Sequence, residues 1–242
     1  MIYVNLQGNS KKTRIYFVLS AICAIFASSM NNNLQEARWS ENVILVDADY
    51  VDQVAFNLIV NFERMIGRPI PQADFARWID CIALDGGIRQ RQQVDGQNSG
   101  MGEQDTQVVL IHKKDKTKMD NFLPGDFATE LNGKAFKDHL GEFSINSYPI
   151  EDIAGGENFL QDALQLATEQ KEVKRIMVIP NAEDTYIYNN VREILNRLKD
   201  DQKRITVFAM QPMPGGNFRQ EILGFSLMAA LGIQANEINP ES

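Results

Sequence analysis

The sequence predicts an α/β fold, a three-layer Rossmann-like sandwich around a mostly parallel central sheet of about six strands. Three observations carry the prediction. Wholly apolar runs at residues 43–46 (Val-Ile-Leu-Val) and 176–179 (Ile-Met-Val-Ile) have the composition of strands buried on both faces. Between such runs lie segments with apolar residues at helical spacing, an alternation that implies right-handed crossovers. Both runs are followed within a few residues by carboxylates, Asp47 and Asp49 in one case, Glu183 and Asp184 in the other. In open α/β sheets ligands bind at the carboxyl ends of the strands.

The elements follow in order. After the first strand, Val54, Phe56, Leu58, Ile59, Phe62 and Ile66 give a helical face, and Gly67 with Arg68 and Pro69 stops it. Residues 71–77 read as a short second helix, and residues 78–84 (Trp-Ile-Asp-Cys-Ile-Ala-Leu) as a second strand ended by Asp85, Gly86 and Gly87. Residues 88–106, rich in Gln, Gly and Arg, read as a long exposed loop or mobile hairpin, a feature uncommon unless functional or disordered. Residues 107–112 form a third strand, leading into the mixed charges of residues 113–120, a solvated connection. Residues 122–140 hold a short helix near 133–140. Residues 142–148 alternate as a fourth strand that Pro149 ends. A Gly155-Gly156 turn opens a helix carrying Phe159, Leu160, Leu164, Leu166 and Ala167, and residues 175–179 are the fifth strand. A helix over 186–199, a sixth strand at 205–209 and a last helix from Phe218 to near Gly232 complete the domain. The tail at 234–242 is polar and frayed.

Composition bounds the function. With 242 residues, 44% of them hydrophobic, the chain buries one sizeable core, a single domain over residues 41–233. A net charge of -8 argues against nonspecific adhesion to nucleic acid. Two cysteines, Cys23 and Cys81, and two histidines, His112 and His139, exclude a disulfide framework, a CxxC metal site and a histidine-rich one. No GxGxxG follows the first strand and no GxxxxGK[ST] occurs, so neither a dinucleotide nor a phosphate-loop mechanism is signalled.

Residues 1–40 form an N-terminal extension with two readings. Lys11, Lys12 and Arg14 before the apolar run 15–27 match a secretory signal, too short for a stable membrane span. Met30 followed by three asparagines matches a natural translation start. The expected location is cytoplasmic if translation starts at Met30, and otherwise exported or membrane-anchored through residues 11–29.

The stretch 44–50 (Ile-Leu-Val-Asp-Ala-Asp-Tyr) resembles the opening strand of NYN domains in the PIN-like nuclease superfamily, in which a buried strand ends in a metal-binding aspartate. Gly156-Glu157 to Ala167 resembles the acidic helix of that family, and Met177 to Tyr186 its later strand with an aspartate pair. A divergent, uncharacterised bacterial branch is implied, over roughly residues 42–209. The resemblance implies a metal-dependent ribonuclease or phosphodiesterase acting on single-stranded RNA, with Mg or Mn held by carboxylates from separate strand ends. It makes Asp47, Asp162 and Asp184 the catalytic ligands, with Glu157, Glu183 and Asp49 as outer members. The chain departs from the pattern in having Ala182-Glu183-Asp184 where the family has an acid-x-acid pair, and Gly156 at the earlier acid of the helix.

Each acid has a plainer reading. Asp47, Asp49 and Asp52 are placed to cap the first helix, Glu183 and Asp184 to cap the helix after 186, and Asp162 to face solvent. Tyr50, Tyr186 and Tyr188 are placed to stack on a ring or simply to pack. Cys81 reads as a small buried hydrophobe, and His112 has no nameable partner. Against the nuclease stands a second expectation from the same residues. It is a non-catalytic PIN-like binding or assembly module with a degenerate acidic site and an unknown protein partner, using the 88–106 loop and the edge tyrosines.

Overall fold

A computed structural model describes residues 39–90, 105–150, 159–198 and 203–238. Every element below belongs to the compact unit Ser40–Ser242; the separate unit Met1–Trp39 lies, apart from Trp39, outside the described residues, and with it both readings of the N-terminal extension.

A seven-stranded sheet is built on β1 (Asn42–Asp47), whose residues 43–46 are fully buried. On one side β1 pairs in parallel with β3 (Asp105–Lys113), then β6 (Glu142–Ile150), with the short β5 (Lys134–Lys137) antiparallel at that edge. On the other side come β7 (Arg175–Ile179), β8 (Arg204–Ala209) and β9 (Arg219–Ile222), all parallel. Counting only the parallel strands in chain order, the sheet runs 3-2-1-4-5-6. The order reverses between β1 and β7, so their carboxyl ends flank the crevice at which such sheets take ligands.

Strand periodicity gives the sheet two apolar faces. Ile44, Val46, Val108, Leu110, Met177, Ile179 and Phe208 belong to one core with α1 (Ala48–Ile66), α2 (Phe75–Asp85) and α5 (Leu223–Ala230). The residues between them carry the opposite face; α3 (Phe159–Glu169) packs on β1, β7 and α4 (Thr185–Asn196). Helices on both faces of a mostly parallel sheet make the three-layer sandwich that the sequence predicted. Gly67, at φ +76, ends α1 in the left-handed region, its N–H bonding Glu63 O.

Several local expectations are corrected. Residues 78–84 are the body of α2, not a strand: Phe75, Trp78, Ile79, Ile82 and Ala83 are buried at i, i+3, i+4, i+7 and i+8, and Asp74 caps the helix by accepting Arg77 N at 3.0 Å. The short helix at 71–77 is extended chain as far as β2 (Ala73–Asp74), which pairs with β4 (Phe122–Leu123) in a two-stranded sheet. Phe122 then seats against Phe75 and Trp78. Within residues 122–140 a π-turn at Phe127–Leu131 and strand β5 replace the expected helix; Phe136 of β5 stacks on Phe143 at 4.8 Å. Pro149 does not end β6. Beyond Ile145, β6 has no strand partner on the β5 side among the described residues, so a residue lacking an N–H is tolerated there. The last helix begins at Leu223, because residues 219–222 pair with β8 as edge strand β9. Beyond it, α6 (Ala235–Ile238) is docked by Glu237 on the Arg68 guanidinium at 2.7 Å, so this part of the tail is held. Of the 88–106 loop, Ile88 is buried and Asp105 already opens β3; residues 91–104 lie outside the described residues. Among the described residues no helix is long and apolar enough to cross a membrane.

Candidate functional site

The β1–α1 corner turns on a single residue. Asp47 keeps an extended backbone, φ -77 and ψ 96, while its Oδ1 accepts the Tyr50 N–H at 3.0 Å, filling one of the orphan donors of α1. Across the switch point, β7 leads through Pro180 and Asn181 to Asp184. This carboxylate caps α4 by accepting the N–H groups of Tyr186 at 2.8 Å and Ile187 at 3.2 Å. Asp49 and Asp52, read as caps, instead tie α1 to other segments. Asp49 accepts Lys113 N at 2.7 Å, and Asp52 accepts the N–H and side-chain amide of Asn121 at 2.8 and 3.1 Å.

Electrostatics single out Asp47. Burial pushes its carboxyl up to about 6, the Tyr50 N–H works against that, and the charge of Asp49 adds to it. Lys113 and the Asn181 N–H oppose the rise more weakly. The Tyr50 phenol is raised as well, first by burial and then by the charges of Glu183 and Asp47, and its buried hydroxyl makes no hydrogen bond with the described residues. Asp47, Tyr50 and Glu183 therefore lie near enough to one another, beyond the carboxyl ends of β1 and β7, for their charges to interact.

The remaining candidates are dispersed. Asp162 is partly buried in the first turn of α3, Glu183 and Asp184 are exposed, and Glu157 lies outside the described residues. Oxygen ligands of one Mg ion sit about 2.0–2.1 Å from it and so within about 4.2 Å of each other. Among the described residues no three of Asp47, Asp49, Asp162, Glu183 and Asp184 bring ligand atoms within 4.8 Å of one another. No three of the described candidates are thus placed to hold one ion together.

The group that does meet this spacing was not legible in the sequence: Asp80 on α2 with Asp138 and His139 in the turn between β5 and β6. Burial raises the Asp80 carboxyl to about 7, assisted by its hydrogen bond to Asp138 and by the charges of Asp138 and Asp74. The two acids share a proton as readily as they hold a cation.

Other singled-out residues resolve into packing. Tyr188 is buried and donates its hydroxyl to Pro214 O at 2.7 Å, whereas Tyr186 is exposed. His112 finds partners after all: it stacks on Phe127 at 3.7 Å, and its Nδ1 lies 2.9 Å from Lys113 O. Cys81 sits on α2 with its thiol pushed up by burial, an unreactive setting.

A parallel 3-2-1-4-5-6 sheet with helices on both faces, and with carboxylates after the two strands at its switch point, defines a Rossmann-like α/β protein. The chain belongs to a family of unknown function, DUF6621, whose model matches residues 36–238. No curated protein and no solved structure matches it.

Proposed function

We propose that this chain is a binding or assembly module on an NYN/PIN-like scaffold with a degenerate acidic site, and that it makes contact through the crevice lined by Asp47, Tyr50 and Glu183. The observation that supports this reading is how the acids are used. Asp47 and Asp184 serve helix N-termini, Asp49 holds the end of β3, and no three described acids approach one ion. A crevice bordered by Asp47, Asp49 and Glu183 repels phosphate and attracts cations and N–H donors. The partner it fits is a basic segment of another protein. A lysine-rich peptide is expected to shift the backbone amide resonances of residues 47–50 and 181–184, and a glutamate-rich one to leave them in place. The absence of any shift with the lysine-rich peptide sinks the reading.

A second reading, a metal-dependent ribonuclease or phosphodiesterase, is favoured by the position of Asp47. It is a half-buried acid at the switch point, on the strand over which α3 packs with Asp162 in its first turn. Mg or Mn would supply an activated water there, with Asp47, Asp162 and Asp184 as the ligands. Incubation with Mn²⁺ and single-stranded RNA separates the two readings. Cleavage that Asp47→Asn abolishes overturns the module; neither cleavage nor an Mn²⁺-dependent rise in melting temperature is the outcome expected of it.

A further inference from the structure

The opposite edge of the sheet carries the opposite charge. Three neighbouring strands each open on an arginine at the amino edge: Arg175 on β7, Arg204 on β8 and Arg219 on β9. Arg175 stands directly opposite Arg204, and Arg219 opposite Thr206, so the period of two puts all three side chains on one face of the sheet. Adjacent strands are about 4.8 Å apart, which sets the lateral spacing of the guanidinium stems. Arg89, just beyond α2, adds a fourth charge near Arg175.

The packing favours this gathering. Arg175 donates from Nη1 to Gly86 O at 2.6 Å, and Gly87 at φ +88 leaves room for it, since a Cβ there would lie 2.9 Å from that nitrogen. Burial lowers the Arg175 pKa, and the charges of Arg204, Arg89 and Arg219 lower it further. Among the described residues the acids facing the group are fewer. Glu221 is bonded to Arg219, Asp85 closes α2 beside Arg89 and Arg219, and Glu41 acts weakly on Arg175. The exposed Arg204 guanidinium makes no hydrogen bond or ion pair with the described residues. In a chain of net charge -8, such a concentration of arginine is a local reversal of sign.

Guanidinium groups do not relieve mutual repulsion by losing a proton, because they stay charged in proteins. An anion relieves it, and the planar fork matches phosphate oxygens two at a time. A row of guanidiniums rising from three adjacent strands offers such forks to several linked phosphates, whereas one orthophosphate engages only part of it. We propose that Arg175, Arg204 and Arg219, with Arg89, form a binding site for an oligophosphate group, the linked phosphates of a nucleotide. The site is separate from the carboxyl-edge crevice and stands whichever reading of that crevice holds.

Calorimetric titration of the full chain tests it, with inorganic pyrophosphate, orthophosphate and a single-stranded RNA oligomer lacking a terminal phosphate as probes. Saturable pyrophosphate binding is expected, roughly tenfold tighter than orthophosphate and weakened by roughly tenfold or more in Arg204→Ser. Arg204→Lys, which keeps the charge and loses the fork, should fall between. Arg197→Ser, which removes an exposed arginine paired with Glu193 on α4, should bind as the wild type does. The proposal is overturned by absent pyrophosphate binding, by equal affinity for orthophosphate, by indifference to Arg204→Ser, or by RNA binding that pyrophosphate does not displace.

Discussion

The two ends of the sheet handle charge in different ways. At the carboxyl edge the acids are engaged with the backbone: Asp47 and Asp184 cap helices, Asp49 holds the Lys113 N–H, and the most buried of them, Asp47, takes up a proton more readily than an ordinary aspartate. At the amino edge Arg175 and Arg219 have partners, Arg204 has none among the described residues, and protonation offers no relief. A carboxylate cluster can settle its own repulsion with backbone N–H groups and protons. An arginine cluster needs an anion from outside. The density of charge alone is therefore a poor guide to which edge seeks a ligand.

The sharpest break in that comparison comes at Asp47. Its pKa rises from 3.8 in the unfolded chain to about 6 in the fold, so between those values the native state holds the proton that the unfolded state has released. Its contribution to stability is best below pH 3.8, falls as pH climbs through the interval, and stays at its lowest above about 6. A shift of that size corresponds to about 3 kcal/mol as an upper bound. Asp47→Asn keeps an oxygen for the Tyr50 N–H and cannot ionise. Urea unfolding at pH 8 should show it more stable than the wild type by up to about 3 kcal/mol, with the difference vanishing near pH 3.5. A loss of stability at pH 8 would mean that the Asp47 charge is solvated or paired, and would return the crevice to the nuclease reading.

Asp184 sharpens the contrast from the same edge. It also caps a helix, but it is exposed, so no burial penalty opposes the cap. Asp184→Ala should lower stability by about 1 kcal/mol, the usual cost of an N-cap. The apolar face of α4, with Tyr188, Val191 and Leu195 buried, holds the helix in place when the cap is lost. The two capping aspartates thus differ in the sign of their effects at neutral pH, and denaturant midpoints at matched pH test that difference.

How much of this was legible in the sequence depended on how local the signal was. Strands β1, β3 and β7 were legible because several contiguous aliphatic residues at a buried parallel sheet have no amphipathic period to confuse. The same rule misread residues 78–84, where Trp78, Ile79, Cys81, Ile82 and Ala83 make an apolar run by content but a helix by spacing, and Asp74 as cap decides the matter. Strand β9, Arg-Gln-Glu-Ile, carries no apolar pattern because it is an edge strand paired on one side alone. Asp47 was legible as the acid ending a buried strand. The arginine row and the Asp80–Asp138 pair were not, since each joins residues from separate elements and exists only once the strand order or the β5–β6 turn is known.

The smallest expected effect on stability belongs to the residue that matters most for the amino-edge proposal. Arg204 is exposed, opens its strand and makes no side-chain bond with the described residues, so Arg204→Ser removes little packing and should change stability by less than about 0.5 kcal/mol. Its sign carries the information. If Arg204 crowds Arg175, the substitution is slightly stabilising in dilute buffer. That gain should fade as salt rises, because exposed charges are screened within about 10 Å at 0.1 M ionic strength. Melting temperatures of both proteins across a salt series measure this directly. A destabilising, salt-independent change would mean that Arg204 is held by its surroundings. The amino edge would then resemble the carboxyl edge, its charges already answered within the fold.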